Sequence, residues 1–113
     1  MSCMTEAIKH GRSEGKPRMS LVPPNALRQV AAVMTYGERK YAAWNYLSGA
    51  GLPFSDYLDA AERHLNAFNC NEENDTESGL SHLAHAACCI LMLMEMQAVH
   101  PEQDDRFKRK GTP

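Results

Sequence analysis

A chain of 113 residues, 43% hydrophobic and only 7% aromatic, has room for one domain with one modest core, and its formal net charge of -2 argues against a globally basic nucleic-acid binder. Cys3, Cys70, Cys88 and Cys89 form no C-x-x-C pair, so reduced thiols are expected rather than a disulfide framework. Neither a signal peptide nor an apolar span of about 18 residues is expected, which predicts a soluble, cytoplasmic protein with no membrane or nucleic-acid partner.

Residues 1–22, with Gly11, Gly15 and Pro17 among scattered charges, read as an extended arm. After Pro23 and Pro24, Asn25 can cap a first helix. Leu27, Val30, Met34, Gly37, Tyr41 and Trp44 then recur at helical spacing as one apolar stripe. Gly37 costs that helix about 1 kcal/mol against alanine, which predicts that another backbone or a ligand comes close. "SGAGLP" ends the helix. Ser55 and Asp56 can cap a second one, with Leu58, Ala61, Leu65 and Phe68 as its stripe and Arg63 and His64 on its flanks.

A third helix is predicted from Glu77 or Ser78 to Pro101. Leu80, Leu83, Ala87, Ile90 and Met94 form its main stripe, and His82, His85, Cys89 and Met92 a second. A helix apolar on two faces is the central one of a bundle or lies at an oligomer interface. The prediction is an all-α bundle over residues 23–100, completed in a homodimer or homotetramer. Residues 101–113, with the run "RFKRKG", read as a flexible basic tail.

Between the second and third helices lie Glu72, Glu73, Asp75 and Glu77, four acids in six residues. One reading is a solvated connection whose charge favours the next helix N-terminus. The other is a site for Mg²⁺ or Mn²⁺, which take carboxylate oxygens. The glycine and distal glutamate of a calcium loop are missing. His82 and His85, with His64 beside them, can donate to phosphate oxygens or orient metal-bound carboxylates. A zinc site with Cys88 or Cys89 would lack the usual spacing. In "YGERKYAAWNY", Arg39 and Lys40 beside four rings suit a flat anionic ligand, although a core stripe with surface charges gives the same pattern.

Four stretches carry a family resemblance: "GKPRMSLVPP" from Gly15, "YGERKYAAWNY" from Tyr36, "RHLNAF" from Arg63 and "EENDTESGLSHLAHAACC" from Glu72. Through them the chain resembles the phage dATP/dGTP diphosphohydrolase family, small relatives of the MazG-like all-α nucleotide pyrophosphatases. It is most similar to the MazZ branch, from phages that replace adenine with 2-aminoadenine. Asn71 stands where the family usually has glycine, and Asn45-Tyr46 where it has Asn-Trp. His82 and His85 stand where acids of a MazG motif would be. The resemblance implies hydrolysis of a purine (d)NTP, dGTP or GTP first, to (d)NMP and pyrophosphate, with Mg²⁺ or Mn²⁺ as cofactor. It implies metal ligation by Glu72, Asp75 and Glu77, with Glu38 and Glu62 as next candidates. Catalysis would fall to those three loop acids with His82 and His85. Lys16, Arg18, Lys40, Trp44, Asn45, Arg63 and His64 would bind substrate. From another class, a non-enzymatic helical oligomerisation module accounts for the same helices, its acids serving only solubility.

Overall fold

The computed structural model describes residues 15–108. It contains α1 (Pro24–Tyr41), α2 (Phe54–Asn69) and α3 (His82–Val99), with single 3₁₀ turns at Met19–Leu21, Asn45–Leu47 and Pro101–Gln103. Among the described residues there is no strand, only an isolated antiparallel bridge between Asn74 and Ser81. The fold is all-α, as the periodicity predicted. The expectations for residues 1–14 and 109–113 lie outside the described residues.

Helix α3 is the centre. Both α1 and α2 pack on it, and they do so more than on each other. Val30 and Val33 of α1 are buried against Ala84 and Cys88 of α3. Phe54 and Tyr57 of α2 are buried with Met96 of α3, and Met92 packs against both groups. Each large side chain buried this way contributes roughly 1.5–3 kcal/mol. Gly51 is required where the turn after Leu47 crosses α3: its φ is +71°, and a Cβ there would meet Met96 Cε at 2.5 Å.

Four helix boundaries differ from expectation, each for a local reason. Pro23 rather than Asn25 precedes α1, and Pro24 occupies the first turn, where its fixed φ suits the helix and its missing N–H costs nothing. The same helix stops at Tyr41 because Ala42 (φ 98°) and Trp44 (φ 60°) leave the helical region. Trp44 is therefore 70% exposed instead of closing the stripe. Ser55 does not cap α2; its backbone N–H donates to Asp105 Oδ1 at 2.9 Å. Helix α3 begins at His82, where the Ser81 hydroxyl accepts from Ala84 N–H, because Asp75 to Ser78 form a turn of their own.

The buried faces also differ. On α3, His82, Ala84, Ala86, Cys88 and Met96 are buried, whereas Leu83, Ile90 and Met94 of the predicted main stripe are exposed. Leu27, Leu65 and Phe68 are exposed too. With apolar residues all round α3, no polar face marks which side turns inward. The expectation of no long apolar span is likewise corrected: His82–Val99 is 18 residues long with mean hydropathy 1.4. By length and composition it is apolar enough to cross a bilayer, although 28% of it is buried inside this protein.

Residues after α3 turn back on the fold. His100 Nε2 lies 3.2 Å from the Leu47 carbonyl, and Gln103 Nε2 donates to the Ala50 carbonyl at 2.7 Å.

Candidate functional site

Because α1 and α2 splay apart over α3, the fold leaves an open cleft of about 1150 Å³ between them. Its wall includes Lys40 of α1, Trp44 and Asn45 just beyond, His64 of α2, Asp75 of the acidic loop and His85 of α3. Those residues are distant in sequence, and the fold brings them to one wall. Glu38 and Glu77 also line it.

The acidic loop reaches the cleft by folding back on itself. Asp75 N–H donates to the Leu80 carbonyl and Gly79 N–H to the Asp75 carbonyl, both at 2.8 Å, while His82 N–H donates to the Glu73 carbonyl at 2.9 Å. Gly79 supplies the positive φ this turn needs. The reversal sets Glu72 beside the first residue of α3. Glu72 Oε2 lies 2.6 Å from Nε2 of the buried His82. The other ring nitrogen, Nδ1, faces His64 Nδ1 at 2.8 Å. An ionised carboxylate only accepts, so Nε2 carries a proton, and in the neutral ring Nδ1 is left with its lone pair.

His64 also stacks on His85, with ring centroids 4.5 Å apart and an interplanar angle of 12°. Burial pushes both His64 and His85 below the ordinary histidine value, and the neighbouring imidazoles press His64 further down. Both rings are therefore neutral near pH 7. Burial alone would raise Asp75, but hydrogen bonds from the Ser78 backbone and side chain, with the nearby imidazoles, hold it below its ordinary value. Ser78 N–H donates to Asp75 Oδ2 at 2.8 Å, and the Ser78 hydroxyl lies 2.7 Å from His85 Nε2. Ser78 thus couples the carboxylate to the imidazole, a role the sequence reading missed; the "DTES" spacing of an aspartate turn is the signal that carries it.

The remaining candidates divide. Lys40 Nζ pairs with Glu77 Oε1 at 3.0 Å and sits over the rings of Tyr36 and Tyr41. Trp44 and Tyr46 rings lie 6.3 Å apart, and Asn45 lies in the 3₁₀ turn between them rather than capping α1. Lys16, Arg18, Glu62 and Arg63 are exposed and do not line the cleft. Glu72 and His82 do not line the cleft: His82 is buried beside it and Glu72 is exposed. Gly37 lines the cleft with nothing within 4 Å of a Cβ position; no backbone approaches it, so only the ligand half of its prediction remains. Burial pushes the Cys88 thiol up to about 11 and raises Cys89 as well, which leaves both protonated and poor zinc ligands.

Glu72, Asp75 and Glu77 do not converge on a point: they engage His82, Ser78 and Lys40 respectively. Among the described residues, one group offers three metal donors close together. One ligand atom from each of His64, Asp75 and His82 lies within 4.8 Å of the others. Two imidazoles and a carboxylate are donors that divalent first-row ions accept, so the residues present fit such an ion.

The profile of the family described as "dATP/dGTP diphosphohydrolase, N-terminal" matches residues 6–106. The chain belongs to this family. A protein named dATP/dGTP diphosphohydrolase, from Salmonella phage PMBT28, is 36% identical over 100 residues, which cover 88% of this chain and 33% of that relative. The chain thus spans about a third of the curated relative it matches. No solved structure matches it. Membership gives a physical reading of one departure. Asn71, where the resemblance expects the family's glycine, has φ 70°, a left-handed conformation that asparagine tolerates best after glycine.

Proposed function

We propose that this chain binds a purine deoxynucleoside triphosphate, dGTP first, and hydrolyses it to the monophosphate and pyrophosphate in the host cytoplasm, which would supply dGMP towards 2-aminoadenine nucleotide synthesis. The observation that carries the reading is the composition of the cleft. The exposed Trp44 ring and the free amide of Asn45, with the half-buried Tyr46 ring beside them, suit a base, and the Lys40 cation and the His64–Asp75–His85 wall suit phosphates and the attacking water.

Water oxygen bonds to the α-phosphorus, and the bond from that phosphorus to the bridging oxygen breaks, releasing pyrophosphate. His85, neutral and on the cleft wall, takes the proton from the water. Ser78 holds its ring and is itself anchored on Asp75. Lys40 meets phosphate oxygens, and a ring of Trp44 or Tyr46 stacks on the purine. A divalent ion such as Mn²⁺, held by His64, Asp75 and His82, would neutralise charge on the phosphates and leaving group. The exposed apolar residues Leu83, Ile90 and Met94 favour a second copy covering α3, in a homodimer or homotetramer.

Incubating the chain with dGTP and Mn²⁺ is expected to release one pyrophosphate per dGMP. Release of inorganic phosphate alone, or no product from any purine nucleotide, would overturn the reading and favour a non-enzymatic helical module.

A further inference from the structure

Beside the polar wall of the cleft lies an arrangement that hydrolysis alone does not require. His82 is 4% exposed, yet both of its ring nitrogens are engaged. Glu72 meets Nε2, and His64 Nδ1 faces Nδ1 at 2.8 Å. A carboxylate on a buried imidazole, here the half-exposed Glu72 on His82, fixes the tautomer and aims the second nitrogen's lone pair, which is how proteins orient a metal-ligating histidine. Here the aimed nitrogen faces another imidazole, and one ligand atom each of His64, Asp75 and His82 lies within 4.8 Å of the others, brought together from three separate segments: α2, the acidic loop and the start of α3.

We propose that His64, Asp75 and His82 form a site for one first-row transition-metal ion, with Glu72 as the positioning carboxylate for His82, and that the site prefers such an ion to Mg²⁺. The inference deepens the proposed function by naming the metal class of the same cleft. Two nitrogens and one oxygen are a poor set for Mg²⁺, which takes oxygen ligands and keeps its waters. They suit Mn²⁺, Fe²⁺ and Co²⁺, with affinity rising along that series. The loop carboxylate that would have favoured Mg²⁺, Glu77, is held by Lys40. Three protein donors leave further coordination positions for phosphate oxygens and water.

The test needs no nucleotide. Co²⁺ titrated into the metal-free chain, followed by calorimetry and visible absorption, is expected to saturate at one ion per chain with a nitrogen-ligated spectrum. Millimolar Mg²⁺ should not displace it. His64→Ala, at a half-buried ring, should lose the site while keeping its helical circular dichroism, a safeguard should His82→Ala fail to fold. Glu72→Gln should weaken binding about 10- to 100-fold at unchanged stoichiometry, and Glu77→Gln should bind as the parent does. Absence of saturable Co²⁺ binding would overturn the proposal. So would equal competition by Mg²⁺, or binding lost in Glu77→Gln and kept in His64→Ala. Stoichiometric Co²⁺ without pyrophosphate release would uphold the site and overturn only the hydrolase reading. Pyrophosphate release by a His64→Ala chain with Mg²⁺ alone would do the reverse.

Discussion

The polar and aromatic sides of the cleft are built differently. On the polar side, nearly every side chain is fixed by another: Glu72 by His82, His82 by His64, His64 by His85, His85 by Ser78, and Asp75 by Ser78. On the aromatic side, Trp44 is 70% exposed and follows Ala42 at φ 98°. That conformation costs a non-glycine residue of the order of 1–3 kcal/mol. One side is organised before any ligand arrives, while the other still offers its surface. Chemistry that depends on sub-ångström placement belongs on the first. Recognition by stacking tolerates the second, because an aromatic face accepts a base in several positions.

The sharpest way to break that contrast is Asp75→Asn. It keeps the shape but removes the charge held beside His85, and turnover is expected to fall roughly 10²- to 10³-fold. Melting should move little, since about 1 kcal/mol is at stake in the weakened bond from Ser78. Loss of activity through unfolding, seen by circular dichroism, would mean that the polar side is structural only.

Trp44→Ala addresses the other side. Loss of one stacked ring, roughly 1–3 kcal/mol, should lower kcat/KM about 5- to 150-fold through KM, with Tm unchanged. A fall in kcat alone would place Trp44 with the chemistry. Asn45→Ala should lower kcat/KM for dGTP more than for dATP, and equal losses would show that its amide does not read the base.

How much of this was legible in the sequence follows the same division. The three helices were visible in apolar spacing, because Val30, Ala61 and their neighbours repeat with the helical period. The end of α1 was not, since Ala42 gives no sign of a positive φ. The inward side of α3 was hidden by its uniform apolarity, and the small residues Ala84, Ala86 and Cys88 turned in where Leu83 and Ile90 were expected. His64, Asp75, His82 and His85 were all singled out as candidates. The three histidines were expected side by side, but Asp75 joining them and Glu72 backing His82 were not legible, because they depend on a loop reversal that sets Glu72 on His82, ten residues away in the chain.

Gly37→Ala sharpens the comparison on α1. Nothing lies within 4 Å of the added Cβ, so the empty protein should gain about 1 kcal/mol of helix stability, read as a higher Tm. If the nucleotide uses that space, KM should rise at the same time; an unchanged KM would place the nucleotide elsewhere in the cleft.

The smallest effect concerns His100, which ties the aromatic side to the end of α3. The Leu47 carbonyl, and then Glu102, raise its pKa above the ordinary histidine value of 6.5. A raised folded pKa means the contribution is fully present below about pH 6.5 and is lost as pH rises through the raised value. The Tm difference between the parent and His100→Gln should therefore shrink as pH is increased across that window. A difference that grows with pH would contradict the contact.

The central claim is attack by water on the α-phosphorus of a purine dNTP in this cleft. Turnover of dGTP with Mn²⁺ in ¹⁸O-labelled water, read by ³¹P NMR, tests it most directly. The account predicts the label in the phosphoryl group of dGMP and unlabelled pyrophosphate. Label in pyrophosphate or in inorganic phosphate would contradict it.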